Sequence, residues 1–231
     1  MKVCVVIPAY NEADVIGDVI GDVKKAFKKT SYSYEIVVVD DGSADKTANA
    51  AEKAGATVIQ HILNSGAGGA TATGLSYAKQ NDFEIVATMD ADGQHLPEDV
   101  LTGISTAVKS GIDLLIGSRL IDSRGMSKVK ILGNKGLSII TYLLFGVRVT
   151  DSQSGLRIFS EESLQKLRWK TSGYEFCSEM LWRANQQGLK IDEFPIKAIY
   201  TEYSKSKGQN NWNGINIVKR LLIRRIMETF S

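Results

Sequence analysis

The stretch VATMDADGQHLP, residues 86–97, joins the end of an apolar run to the start of a helix. Two carboxylates, Asp90 and Asp92, follow the run directly, and Pro97 stands where a first helical turn accepts proline. Acids at the carboxyl end of a strand project at the edge where open α/β sheets bind ligands. Two unpaired carboxylates repel each other, and hard oxygen ligands favour Mg²⁺ or Mn²⁺ over zinc. The stretch predicts a divalent-cation site, with a solvated Asp-rich turn as the alternative.

The same alternation of strand and helix recurs over about the first 118 residues. Short Val/Ile-rich runs occur at 3–7, 35–40, 57–60, 84–90 and 113–117, with helical patterns at 12–29, 45–54, 68–80 and 97–109. Continuous apolar runs separated by helices favour an α/β fold with a mostly parallel sheet covered on both faces. The second half contains a Gly/Lys-rich connection (123–136), an apolar segment (137–147), a Pro-bearing strand (190–200) and a terminal helix (215–230). Since no clean linker or repeat interrupts the chain, we predict one domain over residues 1–231.

Composition indicates an ordinary globular protein of the cytoplasm. The chain is 43% hydrophobic and 23% charged with a net charge of +2, which gives no reason to expect a nucleic-acid partner. Cys4 and Cys177 are too few for a disulfide framework, so we expect reduced thiols in the core. No signal peptide is recognisable, and no window reaches the roughly 18 apolar residues of a membrane span.

Three further motifs follow predicted strands. PAYNE (8–12) places Tyr10 and Glu12 on a loop where they can stack or accept hydrogen bonds, although an ordinary strand-to-helix turn also explains it. VVVDDGSADKT (37–47) again ends a strand in two acids. NSGAGGATATG (64–74) runs a glycine-rich loop into a helix, which favours either phosphate binding by backbone N–H groups or close helix–sheet packing. The loop matches neither the dinucleotide fingerprint nor the P-loop, which disfavours those two classes.

Two arginines and two histidines complete the candidate groups. Arg119 in IGSRL follows the fifth strand, where a fixed cation can face a phosphate. In DSQSGLRIF (151–159), an ion pair between Asp151 and Arg157 is a simpler explanation than catalysis for Arg157. His61 and His95 lack the spacing of a two-histidine metal site, and we expect a supporting role for His95.

Taken together, these motifs resemble family 2 inverting glycosyltransferases with the GT-A fold. That fold implies a central, mostly parallel mixed sheet with helices on both faces. Within the family, the chain looks most like dolichyl- or polyprenyl-phosphate sugar synthases. PAYNE, VVVDDGSADKT, the 64–74 loop, MDADGQH, GSR and DSQSGLR occur in the order and spacing of that family, over about residues 1–207. The resemblance implies transfer of a sugar from a UDP- or GDP-sugar to dolichyl or undecaprenyl phosphate, with Mg²⁺ or Mn²⁺. It places the nucleotide-sugar part at about 1–118 and the acceptor part at about 119–231.

The resemblance also implies roles for individual residues. Gln94 matches a third metal ligand beside Asp90 and Asp92, and Arg119 matches a basic residue near the phosphates. Together with Gly68 of the glycine-rich loop, the donor-contacting positions are Pro8, Ala9, Tyr10, Glu12, Val39, Asp41, Asp90, Ala91, Asp92 and Lys207. We take Asp90, Asp92 and Arg119 as the catalytic set.

Lys130 and Asn134 fall where relatives hold the acceptor phosphate, although the usual arginine and serine are replaced. Two further departures concern the donor: Ala67 stands where many relatives carry lysine, and Thr201 where an arginine is often found. These changes bear on donor identity more than on reaction class.

The acceptor determines whether the reaction needs a general base. A lipid phosphate is already anionic and needs none, whereas a saccharide hydroxyl requires a base, for which Asp151 and Glu179 are the candidates. Two other classes also stay open. A sugar nucleotidyltransferase has a similar architecture but a glycine-rich opening loop with lysine that is absent here. A non-enzymatic module would bind donor without turnover.

The terminal segment INIVKRLLIRRIMETF predicts a basic amphipathic helix. Ile215, Val218, Leu222 and Ile226 form one stripe, with lysines and arginines largely off it. Such a helix favours peripheral contact with the inner face of the cell membrane, and packing on the core with a solvated basic face is the alternative. The apolar 137–147 segment is either core or a second interfacial helix. The segment YTEYSKSKGQ (200–209) resembles a subgroup that often works beside a small membrane protein.

Overall fold

The computed structural model describes residues 1–200 and 212–229, and within these ranges strands and helices alternate. The strands are β1 (Lys2–Ala9), β2 (Ser33–Asp40), β3 (Thr57–Gln60), β4 (Ile85–Thr88), β5 (Leu114–Ser118), β6 (Arg157–Ser160) and β7 (Ile191–Pro195). The helices are α1 (Ile16–Phe27), α2 (Thr47–Lys53), α3 (Ala67–Gln80), α4 (Pro97–Ser110), α5 (Lys128–Phe145), α6 (Glu161–Lys166), α7 (Phe176–Gln186) and α8 (Trp212–Thr229).

The strands form one mixed sheet in the order β3-β2-β1-β4-β6-β5-β7. Strand β6 runs antiparallel to both of its neighbours, β4 and β5, and the other pairs are parallel. The predicted mostly parallel sheet is therefore confirmed. Insertion of β6 between β4 and β5 brings a segment of the second half of the chain into the middle of the sheet.

Apolar residues that follow one another along a strand point to opposite faces of the sheet, and each face has its own core. In β1, Val3, Val5 and Ile7 face the core shared with α1, α2 and α4, whereas Cys4 and Val6 face the core shared with α3, α5, α7 and α8. This is the two-residue period of a strand buried on both faces. Helices on both faces, as predicted, follow from that pattern.

Helix α5 begins earlier than the sequence pattern indicated. The Gly/Lys-rich connection predicted at 123–136 is helical from Lys128 onward, and the Ser127 hydroxyl caps it by accepting the Lys130 amide at 3.3 Å. Gly133 and Gly136 lie on an open side of this helix, where an added Cβ would meet no atom within 4 Å. Tertiary packing of the apolar residues that follow outweighs the weak helix propensity of the two glycines.

The remaining fold predictions concern the cysteines and the membrane. Cys4 and Cys177 are both free and buried, as expected. Burial raises the pKa of the Cys177 thiol to about 11, so this thiol stays protonated at neutral pH. Among the described helices, none is both long and apolar enough to cross a bilayer.

Candidate active site

The carboxyl edge of the sheet gathers the motif residues. Because β1, β2, β4 and β5 share one direction, the loops after each of them leave at the same edge. Strand β6 begins at that edge because it runs the other way, and Thr88 at the end of β4 is paired with Arg157 at the start of β6. The Thr88 hydroxyl donates to the Gly155 carbonyl at 2.8 Å. The 151–155 turn is thereby fixed beside the turn Asp90-Ala91-Asp92, which we call the DxD turn.

Asp90 and Asp92 occupy the turn after β4 as predicted. The Asp90 side chain is 51% exposed, and its Oδ2 lies 3.0 Å from Nε2 of the buried His95. Asp92 accepts the Gln94 backbone amide at 3.0 Å and also the Gln94 side-chain amide. His95 therefore orients the Asp90 carboxylate, in agreement with the supporting role expected for it.

The two carboxylates differ in their electrostatic surroundings. Burial and the negative charge of Asp90 raise the pKa of Asp92. The surrounding protein also removes some water from Asp90, which acts against its ionisation, but the His95 hydrogen bond and the charges of Arg119 and Arg157 lower the pKa of Asp90 below its usual value. A cation placed between the carboxylates relieves their repulsion.

This pair fits a divalent cation held jointly by protein and substrate. Among the described residues, no group of three or more His, Cys, Asp or Glu side chains forms a complete metal cage. Mg²⁺ is commonly bound by one or two carboxylates together with substrate phosphates and water, and the DxD turn offers such a set. A Cβ at Gly155 would lie 2.2 Å from the Asp90 Oδ1 atom, so the Gly155 backbone packs directly against the Asp90 carboxylate and leaves no room for a side chain.

Arg119 lies at the end of β5 and is held by Asp151. Its Nε and Nη2 atoms donate to the two Asp151 oxygens at 2.7 and 2.8 Å, and Asp151 is fully buried. Against burial, the Asp151 hydrogen bonds and charge raise the pKa of Arg119, so it stays a fixed cation near Asp90. The predicted Asp151–Arg157 ion pair is wrong, because Asp151 pairs with Arg119.

Arg157 has a structural role instead. Its side chain is buried at the centre of the sheet and donates to the backbone carbonyls of Ser152, Ser154 and Cys177 at 2.8, 3.0 and 3.3 Å. Hydrogen bonds to several carbonyls shape the 151–155 turn from beneath. The antiparallel position of β6, which the sequence pattern did not indicate, decides this arrangement.

The loops after β1 and β2 are joined by hydrogen bonds. The Asn11 amide donates to the Ser43 hydroxyl at 2.9 Å, and the Glu12 amide donates to the Thr47 hydroxyl at 2.8 Å. Tyr10 between the strand and this junction is 48% exposed at the edge of the sheet. Contact of Tyr10 and Glu12 with a nucleotide stays a prediction, and the structure places both where such contact is possible.

The other donor candidates in these strands are enclosed by protein. Val39 is fully buried in one core and Ala91 lies in the other, so only their backbone atoms can face a ligand. Pro8 and Ala9 lie at the end of β1, directly beside Val39 and Asp40 of β2. Lys207 and Thr201 lie outside the described residues, and the role assigned to Lys207 stays a prediction.

Asp41 organises the glycine-rich loop. One carboxylate oxygen accepts the Ser65 amide at 2.8 Å and lies 2.7 Å from His61 Nδ1, and the other accepts the Gly66 amide at 2.7 Å. These hydrogen bonds outweigh the effect of burial and lower the pKa of Asp41. The contact of Asp41 with the donor, implied by the family resemblance, stays a prediction. No sequence pattern indicated that Asp41 binds the backbone of the glycine-rich loop.

The start of α3 is likewise engaged by protein atoms. The Gly68 amide donates to the Ser172 carbonyl at 2.7 Å, and the Trp169 indole donates to the Gly68 carbonyl at 3.1 Å. Of the two alternatives for the glycine-rich loop, close packing is thus evident at Gly68. A contact of Gly68 with donor phosphate stays a prediction.

The proposed acceptor residues lie on the face of α5 that is directed toward the site. Lys130 and Asn134 are one turn apart, and one turn further the Ser138 hydroxyl accepts the Ser152 amide at 2.9 Å. The Lys130 ammonium lies 4.2 Å from the centre of the Tyr200 ring, a cation–π contact. No sequence motif indicated Tyr200. Burial raises the Tyr200 pKa, and the positive charge of Arg119 acts against that shift.

The opposite face of α5 is apolar and exposed. Val129, Leu132, Ile139 and Leu143 recur at helical spacing, with Leu132 74% and Leu143 73% exposed. Helix α8 packs beside α5 and exposes Leu222, Ile223, Ile226 and Met227. We call these eight side chains the apolar face; apolar surface of this kind marks a contact with membrane or protein.

The C-terminal helix both packs on the core and exposes apolar residues, so it has features of each of the two alternatives, core packing and membrane contact. Ile217 and Leu221 pack in the core, while Leu222 and Ile226 of the predicted stripe are exposed. The predicted solvated basic side is wrong in part, because Arg220 pairs with Glu175 at 3.1 Å and Arg224 with Glu179 at 3.1 Å. Deleting this helix would expose core residues and remove Arg224, the nearer of the two arginines that pair with the buried Glu179. Truncation is thus no clean test of membrane contact.

Comparison with known protein families identifies the class of protein that carries this mixed sheet and acidic turn. The chain belongs to glycosyl transferase family 2, whose model matches residues 4–168. The sequence-based resemblance to this family is thereby confirmed.

Three relatives match most of the chain. An uncharacterized protein of Methanocaldococcus jannaschii is 46% identical, covering 97% of this chain and 93% of its own. The UDP-N-acetylglucosamine–dolichyl-phosphate N-acetylglucosaminyltransferase of Methanococcus voltae is 38% identical, covering 96% and 95%. The polyprenol monophosphomannose synthase of Mycolicibacterium smegmatis is 30% identical, covering 94% and 83%.

The fold is shared with solved structures of more distant sequence. Glucosyl-3-phosphoglycerate synthase from Mycobacterium tuberculosis, crystallised with Mn²⁺, UDP-glucose and phosphoglyceric acid, superposes with a TM-score of 0.68 at 21% identity. The match covers 95% of this chain and 79% of that one. At this level of identity the likeness establishes the fold.

Proposed function

We propose that this protein transfers a sugar from a nucleotide-sugar to a polyprenyl phosphate, with inversion, at the cytoplasmic face of a membrane. The names of the Methanococcus and Mycolicibacterium relatives support a polyprenyl-phosphate acceptor. In this proposal residues 1–118 bind the nucleotide-sugar, residues 119–231 bind the acceptor and membrane, and the whole chain works as one domain.

The burial and bonding of the two candidate bases, Asp151 and Glu179, favour a lipid phosphate acceptor over a saccharide hydroxyl. Asp151 is fully buried and bound to both nitrogens of the Arg119 fork. Glu179 is fully buried, accepts the Thr171 amide at 2.8 Å and pairs with Arg224. Neither acid is presented to a substrate, whereas an already ionised phosphate needs no base.

The carboxylates and arginine at the edge have distinct roles in this reaction. Asp90 and Asp92, with Gln94, would hold Mg²⁺ or Mn²⁺, which when bound neutralises charge on the leaving diphosphate. His95 fixes the direction of the Asp90 carboxylate, and Asp151 fixes the Arg119 guanidinium as a preorganised cation. Groups oriented before the reaction stabilise developing charge without a reorganisation cost.

For the acceptor, we propose that Lys130 and Asn134 bind the lipid phosphate. Lys130→Glu should raise the KM for polyprenyl phosphate by about tenfold or more, since a like charge then faces the phosphate. The KM for the donor should stay the same. Steady-state kinetics with Lys109→Glu, which reverses an exposed charge on α4, provide the matched control. An unchanged acceptor KM would remove Lys130 from the acceptor site.

For the membrane, we propose that the apolar face contacts lipid. The double variant Leu132→Ser/Leu143→Ser should lower affinity for vesicles containing anionic lipid by at least about tenfold, because burying each leucine contributes roughly 1.5–3 kcal/mol. The thermal midpoint should hardly change, since both side chains are exposed. Val108→Ser on α4, on the other side of the sheet, is the control in a vesicle co-sedimentation assay. Equal binding by all variants would contradict this lipid contact.

For the donor, we propose a UDP-sugar and test UDP-N-acetylglucosamine first, because the Methanococcus relative is named for it. Binding of UDP- and GDP-sugars measured with and without Mn²⁺ should reveal one donor whose affinity falls when the cation is removed. Metal-independent binding of every donor would contradict the metal site.

A small membrane-protein partner, suggested by segment 200–209, can be sought by co-purification.

A further inference from the structure

Glu179 is a buried acid for which the proposed reaction has no use. Its carboxylate is fully buried in α7 and accepts the backbone amides of Thr171 at 2.8 Å and Lys170 at 3.2 Å. Burial alone would raise the pKa of Glu179, but hydrogen bonding by Thr171 and the charge of Arg224 lower it. The buried acid is thus ionised and fixes the 170–171 backbone.

Glu179 has two arginine partners, one from its own helix and one from the C-terminal helix. Arg183 of α7 lies 3.5 Å from the carboxylate, and the partner from α8 is closer. Arg224 of α8 is 11% exposed and donates through Nε to Glu179 at 3.1 Å. Leu221, one turn earlier, is fully buried and seats α8 against the core. The position of the Glu179 carboxylate therefore depends in part on a helix 45 residues later in the chain.

The segment held by Glu179 is in direct contact with the glycine-rich loop. Ser172 accepts the Gly68 amide at 2.7 Å, and a Cβ at Gly66 would lie 2.4 Å from the same carbonyl oxygen. A Cβ at Gly68 would lie 2.7 Å from the Thr171 carbonyl oxygen. The two backbones approach too closely for either segment to shift without the other.

The glycine-rich loop in turn leads to Asp41. The Gly66 amide donates to the second Asp41 oxygen at 2.7 Å, and the Ser65 amide to the first at 2.8 Å. A continuous series of hydrogen bonds and close contacts thus runs from Arg224 through Glu179 and the 170–172 segment to Gly66 and Asp41.

We propose that Glu179 and Arg224 are positioning residues for the nucleotide-sugar, through which helix α8 fixes the conformation of the 64–68 loop. The proposal rests on the proposed function in that this loop borders the donor site. One side of helix α8 therefore supports donor binding, and its other side contributes four residues to the apolar face. Neither Glu179 nor Arg224 touches substrate.

Arg224→Gln tests the proposal by two readouts on the full chain. Amide hydrogen exchange over residues 64–68 should become faster, and the Kd for UDP with Mn²⁺ should rise about tenfold, within the range expected for coupling through packed networks. Arg224→Lys keeps the charge and should recover most of both properties. Lys219→Gln removes one charge from the exposed side of the same helix and should change neither.

The outcomes separate this inference from the proposed function. Unchanged exchange at 64–68 in Arg224→Gln, or an equal change in Lys219→Gln, would overturn the inference. Wild-type protein that binds neither UDP nor GDP would contradict the proposed function, and the exchange result would still decide the inference. If Arg224→Gln does not fold, Glu179→Gln removes the charge from the other member of the pair and carries the same exchange test. Faster exchange at 64–68 is expected, and an unchanged rate would overturn the inference.

Discussion

Replacing Asp92 with asparagine should lower the rate of sugar transfer by about 10²- to 10³-fold, the loss typical for one group that stabilises developing charge. The same change should leave stability unaffected or slightly increased. Asp92 is partly buried beside the Asp90 charge, which raises its pKa, so a neutral side chain relieves repulsion in the metal-free protein. Asparagine also keeps an oxygen that can accept the Gln94 amide.

Opposite directions of the two effects make this prediction specific. A residue that served only the fold would lose stability and activity together. Initial rates at several Mn²⁺ concentrations and a thermal unfolding curve measure both properties on one preparation. Glu98→Gln, which neutralises an exposed acid at the start of α4, is the control. Near-normal turnover of the Asp92 variant in the presence of chelator would show that the metal assignment is wrong.

Gly155→Ala should reduce turnover by about 10²-fold, although the glycine makes no side-chain contact of its own. The added Cβ would lie 2.2 Å from Oδ1 and 2.6 Å from Cγ of Asp90, so the carboxylate has to move. The turn cannot easily retreat, because Thr88 holds the Gly155 carbonyl at 2.8 Å. Misplacement of a reacting group by about 1 Å costs on the order of 10²-fold in rate.

Gly21→Ala provides the matched control for this second prediction. Gly21 lies in α1, and a Cβ there would meet no atom within 4 Å. Alanine should therefore keep full activity and stabilise the helix by about 1 kcal/mol. If Gly155→Ala retains wild-type kcat while Gly21→Ala behaves as expected, the tight closure of the 151–155 turn on Asp90 has no catalytic importance.

The half of the sheet that carries the DxD turn was predictable from the sequence because its signals are local. Each parallel strand is a short run of buried Val and Ile that ends in a polar motif, and the edge reached by those ends follows from the direction of the strands. Asp90, Asp92 and Arg119 could be placed at one edge for this reason. The two-residue period of β1 also shows how both faces of the sheet are covered.

The partners of the buried charges were not predictable in the same way. The sequence neighbours Asp151 and Arg157 suggested an ion pair, but the antiparallel insertion of β6 directs Arg157 to backbone carbonyls and leaves Asp151 to Arg119. The pairing of Arg224 with Glu179 depends on how α8 docks against α7, which no local pattern specifies. Long-range docking therefore decided what the sequence pattern left open.

Gly155 and Tyr200 illustrate two kinds of missed residue. Gly155 stood inside a motif already noted, and its lack of a side chain signalled a close approach of backbone to another group. Tyr200 carried no such signal, because its contact with Lys130 joins two residues 70 positions apart in the sequence. Residues of the first kind can be found by asking what each glycine in a motif must avoid.

Comparison of acceptors in one transfer assay tests the central claim most directly. Wild-type protein, the donor identified by binding and Mn²⁺ would be incubated with undecaprenyl phosphate, undecaprenol or a free saccharide, and products identified by mass spectrometry. We predict transfer to undecaprenyl phosphate alone, lost on chelation of the cation and restored when Mn²⁺ is added back. Transfer to undecaprenol or to the saccharide but not to the lipid phosphate would contradict the account, because it would require a general base that Asp151 and Glu179, as bound here, do not provide.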